Sequence, residues 1–96
     1  MNIEKIIREK RGTIVDVRTP AEFSGGHVAG SINIPIQEID RRIDELRRLP
    51  SPLILCCASG GRSAQAYAYL SQKGITCYNG GSWLAVNNLR AKALSS

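Results

Sequence analysis

Leu53-Ile54-Leu55-Cys56-Cys57-Ala58-Ser59-Gly60-Gly61-Arg62-Ser63 is the stretch that decides the fold. Leu53 to Cys56 has the unbroken apolar character of a strand covered on both faces. Gly60-Gly61 breaks it, and residues 62 to 73 take up a helical pattern that ends at Gly74. A thiol between a strand's end and a helix's first turn lies among free backbone N–H groups, at the positive end of the helix dipole. Free thiols titrate near 8.5, and such surroundings lower this to about 3.5 to 7.5. Cys57 is therefore the candidate nucleophile.

Working outward, strands and helices alternate. Ile3, Ile6 and Ile7 predict a short amphipathic helix over residues 2 to 9. Thr13 to Val17 is β-branched and apolar, a buried parallel strand. Thr19-Pro20-Ala21-Glu22 supplies an N-cap, a proline at the first helical position and an acid at the third, so a short helix runs through Phe23 and ends at Gly25-Gly26. Ser31 to Ile34 reads as a second strand that Pro35 stops. Ile36, Ile39, Ile43 and Leu46 then mark one face of a longer helix, terminated by Leu49-Pro50-Ser51-Pro52. Ile75 to Tyr78 reads as the fourth strand, Asn79-Gly80-Gly81 as a turn, and a last helix runs from near Ser82 to about Ala91, with Trp83, Leu84 and Leu89 available for the core. Such alternation with short connections predicts an α/β fold with a parallel sheet and helices on both faces. Ligands bind at the carboxyl ends of strands in such sheets, which is where Cys57 stands.

The 96 residues, 43% of them apolar, predict a single domain over residues 1–96. The charged first ten residues lack the apolar run of a signal peptide, and no stretch has the roughly 18 apolar residues of a membrane span, so the expectation is a cytoplasmic monomer without membrane contact. Three cysteines without CxxC or Cys/His clustering predict reduced thiols and no metal. The net charge is +5, yet every Asp and Glu lies at or before Glu45. A second half free of carboxylates does not repel small anions. Nucleic-acid binding is not expected, because Arg41-Arg42 and Arg47-Arg48 are interleaved with Asp40, Asp44 and Glu45 and carry no aromatic stripe.

Several motifs in one order resemble the rhodanese family: Ile14-Val15-Asp16-Val17-Arg18, Pro20-Ala21-Glu22-Phe23, Gly26-His27-Val28-Ala29-Gly30-Ser31-Ile32-Asn33-Ile34-Pro35, Cys57 to Ser63, and Asn79-Gly80-Gly81 ahead of Trp83. The resemblance runs from about residue 11 to residue 90. It implies a small domain with a central parallel sheet of four to five strands, and a Cys57 that carries a persulfide sulfur from donor to acceptor. The loop from Cys57 through Arg62 has the six-residue length of rhodaneses, one residue shorter than that of the related phosphatases and arsenate reductases, and so argues against phosphoryl chemistry. Two departures stand out. Ala58 and Ser59 are neutral where many rhodaneses have a basic residue after the cysteine, and the small extra strand ahead of the first helix is missing.

The expected site follows. Cys57 is the catalytic thiolate, and Ala58, Ser59, Gly60, Gly61 and Arg62 bind the anion. The glycines curl the chain into a nest of N–H groups, and Arg62 either clamps a sulfonate or holds the loop. Asp16 and Arg18 buttress the site, with Ser63 beside them. Cys56 and Cys77 are expected to pack as small hydrophobes, His27 to serve a turn or packing role, and Trp83 to pack in the core. The expected activity is sulfur transfer from thiosulfate or a protein persulfide to a thiol or cyanide, without cofactor, with a non-turnover sulfur carrier or regulatory module as the alternative. The expected partners are a small anionic sulfur donor and a protein donor or acceptor.

Overall fold

The computed structural model describes residues 2–95. In chain order the elements are α1 (Ile3–Arg8), β1 (Thr13–Asp16), α2 (Pro20–Ser24), β2 (Ile32–Asn33), two 3₁₀ turns (Ile36–Glu38 and Asp40–Arg42), α3 (Ile43–Arg48), β3 (Leu53–Cys57), α4 (Gly61–Gln72), β4 (Cys77–Ser82) and α5 (Trp83–Ser95). The strands form one four-stranded parallel sheet in the order β2-β1-β3-β4. The α/β architecture and the strand number agree with the reading from sequence.

Alternation along the strands sorts the core into two layers. Val15, Val17, Leu53, Leu55 and Cys57 face Ile39, Leu46, Ala66 and Leu70, while Ile14, Ile54 and Cys56 face Ile6, Ile7, Val28 and Val86. Period-two alternation requires this separation, so Cys56 and Cys57 lie on opposite sides of the sheet. α2 starts as its sequence dictates. The Thr19 hydroxyl accepts from the Glu22 N–H while the Glu22 carboxylate accepts from the Thr19 N–H, and Pro20 fills the first helical position.

Three expectations need correction. The apolar stripe Ile36, Ile39, Ile43, Leu46 is not one helix but two 3₁₀ turns followed by α3. A 3₁₀ turn stacks residues three apart, so it preserves the same apolar face without α-helical hydrogen bonds. Arg42 staples the junction, its guanidinium reaching Glu38 at 2.9 Å and Glu45 at 2.9 Å. Second, Asn79-Gly80-Gly81 is part of β4, not a turn after it. Leu55 pairs with Asn79 and Cys56 with Gly81, so Gly80 is an inserted bulge residue. A Cβ at Gly80 would lie 2.9 Å from Val86 Cγ2 and 3.0 Å from Ile54 Cγ2, and its absence lets α5 close onto the strand. Third, Leu84 is 61% exposed; Val86 takes the core position one helical turn from Trp83.

Candidate active site

Cys57 is the last residue of β3, and Gly61 opens α4. The intervening residues must reverse direction within three positions. Gly60 makes this possible with φ +106 at the N-cap, a backbone state that side chains rarely adopt. The turn aims the Gly60 N–H at Cys57 Sγ, 2.9 Å away. Cys57 is only 1% exposed, yet its sulfur is not sealed in hydrocarbon, because Ser63 Oγ also lies 3.5 Å from it. Ala58, Ser59 and Gly61 are exposed around it.

Burial is the largest single influence on the Cys57 thiol and pushes it up. Hydrogen bonds from the Ser63 hydroxyl and from the backbone N–H groups of Ser63, Gly60 and Ser59 together outweigh it and bring the thiol down to about 7. The cause is local donors that favour the anion, supported by the start of a twelve-residue helix. Cys56 behaves oppositely. On the other face, burial together with the Asp16 charge pushes its thiol up to about 12, and burial likewise raises Cys77. Both are free, buried cysteines.

Ser63 is the hub of the site. Its Oγ lies 2.7 Å from Asn79 Oδ1 and 3.2 Å from the Gly60 carbonyl as well as 3.5 Å from Sγ, and a hydroxyl has one proton for three acceptors. Asn79 also bonds the loop, its Nδ2 donating to the Gly60 carbonyl at 3.4 Å, while its Oδ1 accepts from the Gly81 N–H of its own strand at 3.0 Å. Removing the hydroxyl in Ser63→Ala is expected to move the Cys57 midpoint up by about one pH unit. The pH dependence of thiolate absorbance or alkylation rate checks this, and an unmoved midpoint would assign the lowering to the backbone alone.

Arg62 does not point a free charge at the sulfur. It forms a fork with Glu22, Nη1 to Oε1 at 2.8 Å and Nη2 to Oε2 at 3.0 Å, so the loop's far end is tied to α2. The same pair, helped by the Thr19 N–H, holds the Glu22 carboxyl down at about 2. Of the two roles expected for Arg62, holding the loop is the one its contacts fill. Asp16 and Arg18 form the anticipated pair, 0% and 5% exposed, with Nη2 to Oδ2 at 2.8 Å. Arg18 also donates to the Gly26 carbonyl at 2.7 Å and lies 4.7 Å over the Trp83 ring, which packs against the α1/α5 layer. His27 stacks on Phe23 at 3.7 Å between centroids and contacts the Phe23 carbonyl through Nδ1. No cluster of metal-ligating side chains occurs among the described residues, and none of their helices is long and apolar enough to cross a membrane.

Asn79 and Glu22 are the two site residues that sequence reasoning did not place. Asn before two glycines signals a turn, and Glu22 was already accounted for by the helix cap. Only the register of β4 brings Asn79 to Ser63, and only the fold brings Glu22 to a partner forty residues on.

The comparisons with known proteins agree with this architecture. YqhL of Bacillus subtilis is 37% identical over 67 residues, covering 70% of this chain and 52% of that one. A sulfurtransferase of Allochromatium vinosum is 39% identical over 61 residues, covering 64% and 56%. The chain thus spans little more than half the length of these curated relatives. The crystal structure of a rhodanese-related protein from Thermoplasma volcanium superposes with a TM-score of 0.69 at 36% identity, covering 79% of this chain and 75% of that one. A strand-end cysteine, a tight turn from it into a helix, and a match to the family description "Rhodanese-like domain" over residues 2–85 lead to one conclusion: this chain belongs to the rhodanese-like domain family.

Proposed function

We propose that this protein is a sulfurtransferase working through a persulfide on Cys57. One observation carries the reading: a thiol brought down to about 7 by a ring of local donors, with the Gly60 N–H 2.9 Å from the sulfur. In the first step the Cys57 thiolate attacks the outer sulfur of a donor such as thiosulfate. A bond forms between Sγ and that sulfur, the donor's own S–S bond breaks, and its electron pair leaves with sulfite. In the second step an acceptor thiolate, or cyanide, attacks the outer sulfur of the persulfide and returns Cys57 to the thiolate. Charge balances in each step without an oxidant. Sulfite needs no proton to leave, so the absence of an Asp, Glu or His from residues 57 to 63 fits the chemistry. Ala58, Ser59, Gly60 and Gly61 would hold the transferred anion through their backbone, and Arg62 would fix the loop against α2.

Incubation with thiosulfate should add one sulfur, about 32 Da, to the native protein and none to Cys57→Ala. Equal addition to both would remove Cys57 from the reaction.

A second reading is favoured by the Arg62–Glu22 fork. With Arg62 engaged by Glu22 and Arg18 by Asp16, neither guanidinium is uncompensated for capture of a dianion. A protein persulfide, whose own surface supplies the docking energy, would then be the working donor, and the domain a carrier between protein partners. Steady-state assay with thiosulfate and cyanide decides between the two, because brisk turnover excludes carriage alone.

A further inference from the structure

A concentration of positive charge lies at the other end of the sheet. There a cavity of about 280 Å³ opens between the α1–β1 connection, the Ala29-Gly30 segment and α5. Lys10, Arg11 and Arg90 contribute to its lining, and among the described residues no Asp or Glu does. Thr13, also in the lining, pairs with Leu53, the first residue of the strand that ends in Cys57. Four residues of strand, about 13 Å, therefore separate the cavity's level from that of the sulfur.

Three features of the cavity bear on what it could hold. The Arg90 Nε is buried and finds no acceptor among the described residues. Gly30 adopts φ +81, and a Cβ there would stand 3.4 Å from Arg90 Nη2, so this segment packs directly against the guanidinium. Lys10 has φ +57, the one positive value among the described residues other than glycine. It occupies the position after the α1 cap, where Lys10 N–H bonds the Ile7 carbonyl and Arg11 N–H the Ile6 carbonyl. These two bonds close the Schellman cap of α1, and the left-handed residue the cap needs is here a lysine that lines the cavity.

We propose that this cavity binds a phosphoryl dianion, either inorganic phosphate or the phosphate of a small monoester. The charge count supports a dianion. Arg11 shares its charge with Glu9 at 3.3 Å, which leaves Lys10 and Arg90 without an acidic partner among the described residues. A guanidinium fork matches phosphate oxygens, and a phosphoryl group carries close to two negative charges at neutral pH.

Titrating the ¹⁵N-labelled chain with inorganic phosphate and with phenyl phosphate, at constant ionic strength and neutral pH, tests the assignment. Saturable shifts are expected at the Gly12 and Gly30 amides and at Arg90 Nε, with a dissociation constant on the order of 1 mM. Arg90→Gln and Lys10→Gly are each expected to weaken binding about tenfold. Lys10→Gly should do so without lowering Tm, since glycine relieves the strain, so the loss cannot be ascribed to unfolding. Tighter binding of phenyl phosphate identifies a monoester, and tighter binding of phosphate identifies the free ion. Shifts that do not saturate, shifts centred on Gly60 and Gly61, or affinities unchanged in both variants would overturn the proposal.

Discussion

Arg18→Ala is expected to destabilise the domain by about 3–5 kcal/mol, the usual result of stripping a buried charge of its partner. Asp16 is 0% exposed, and Arg18 supplies both carboxylate oxygens through Nε, at 3.0 Å each, and Oδ2 again through Nη2. Alanine would keep only the main-chain N–H of residue 18 on Oδ1. The Gly26 carbonyl and the Trp83 ring would lose their cation at the same time. Against a total stability of about 5–15 kcal/mol, this is enough to bring a small domain near its threshold. At about 4–8 °C per kcal/mol, Tm should fall by well over 10 °C. Urea titration of the single variant beside Asp16→Leu/Arg18→Met gives the control. The double variant should lose far less, because it leaves no carboxylate behind. A single variant that loses under about 1 kcal/mol would mean that water reaches Asp16 after all.

That pair was legible in the sequence, and the reasons for what was legible are local. The resemblance implied the Asp16–Arg18 pair, and the two stand only two residues apart, Asp16 ending β1 and Arg18 lying just beyond it. Thr19 and Glu22 close a capping box within one helical turn, and the glycines after Cys57 announce a sharp reversal whatever surrounds them. What escaped reading is set by distance along the chain. The Gly80 bulge depends on how close Val86 and Ile54 come, which no pattern around residue 80 encodes. The Ser63–Asn79 and Arg62–Glu22 contacts join segments that the sheet alone brings together. The broken helix at Ile36–Arg42 failed for another reason. Hydrophobic spacing reports which face is buried, and 3₁₀ and α turns bury the same residues.

Cys57→Ser is expected to reduce sulfur transfer by about 10³-fold or more, the scale of losing a catalytic nucleophile. Serine preserves shape and leaves the Gly60 N–H an oxygen to bond, so the loop should hold while the chemistry stops. The missing quantity is the anion. A thiol at about 7 is half thiolate at neutral pH, whereas a hydroxyl under the same donors remains protonated. The native rate should therefore climb as pH rises through about 7 and level off above it, with about a tenth of the plateau at one unit below. An ordinary thiol would still be climbing near 8.5. Stability supplies a second readout with a definite sign. Because the folded state lowers the Cys57 midpoint, it gains stability from the thiolate that is fully present above the unfolded value near 8.5 and lost as pH falls through about 7. Native protein should gain on Cys57→Ser across that window and run parallel to it below. A flat rate profile combined with parallel stability curves would mean that the Gly60 and Ser63 donors face a thiol they never ionise.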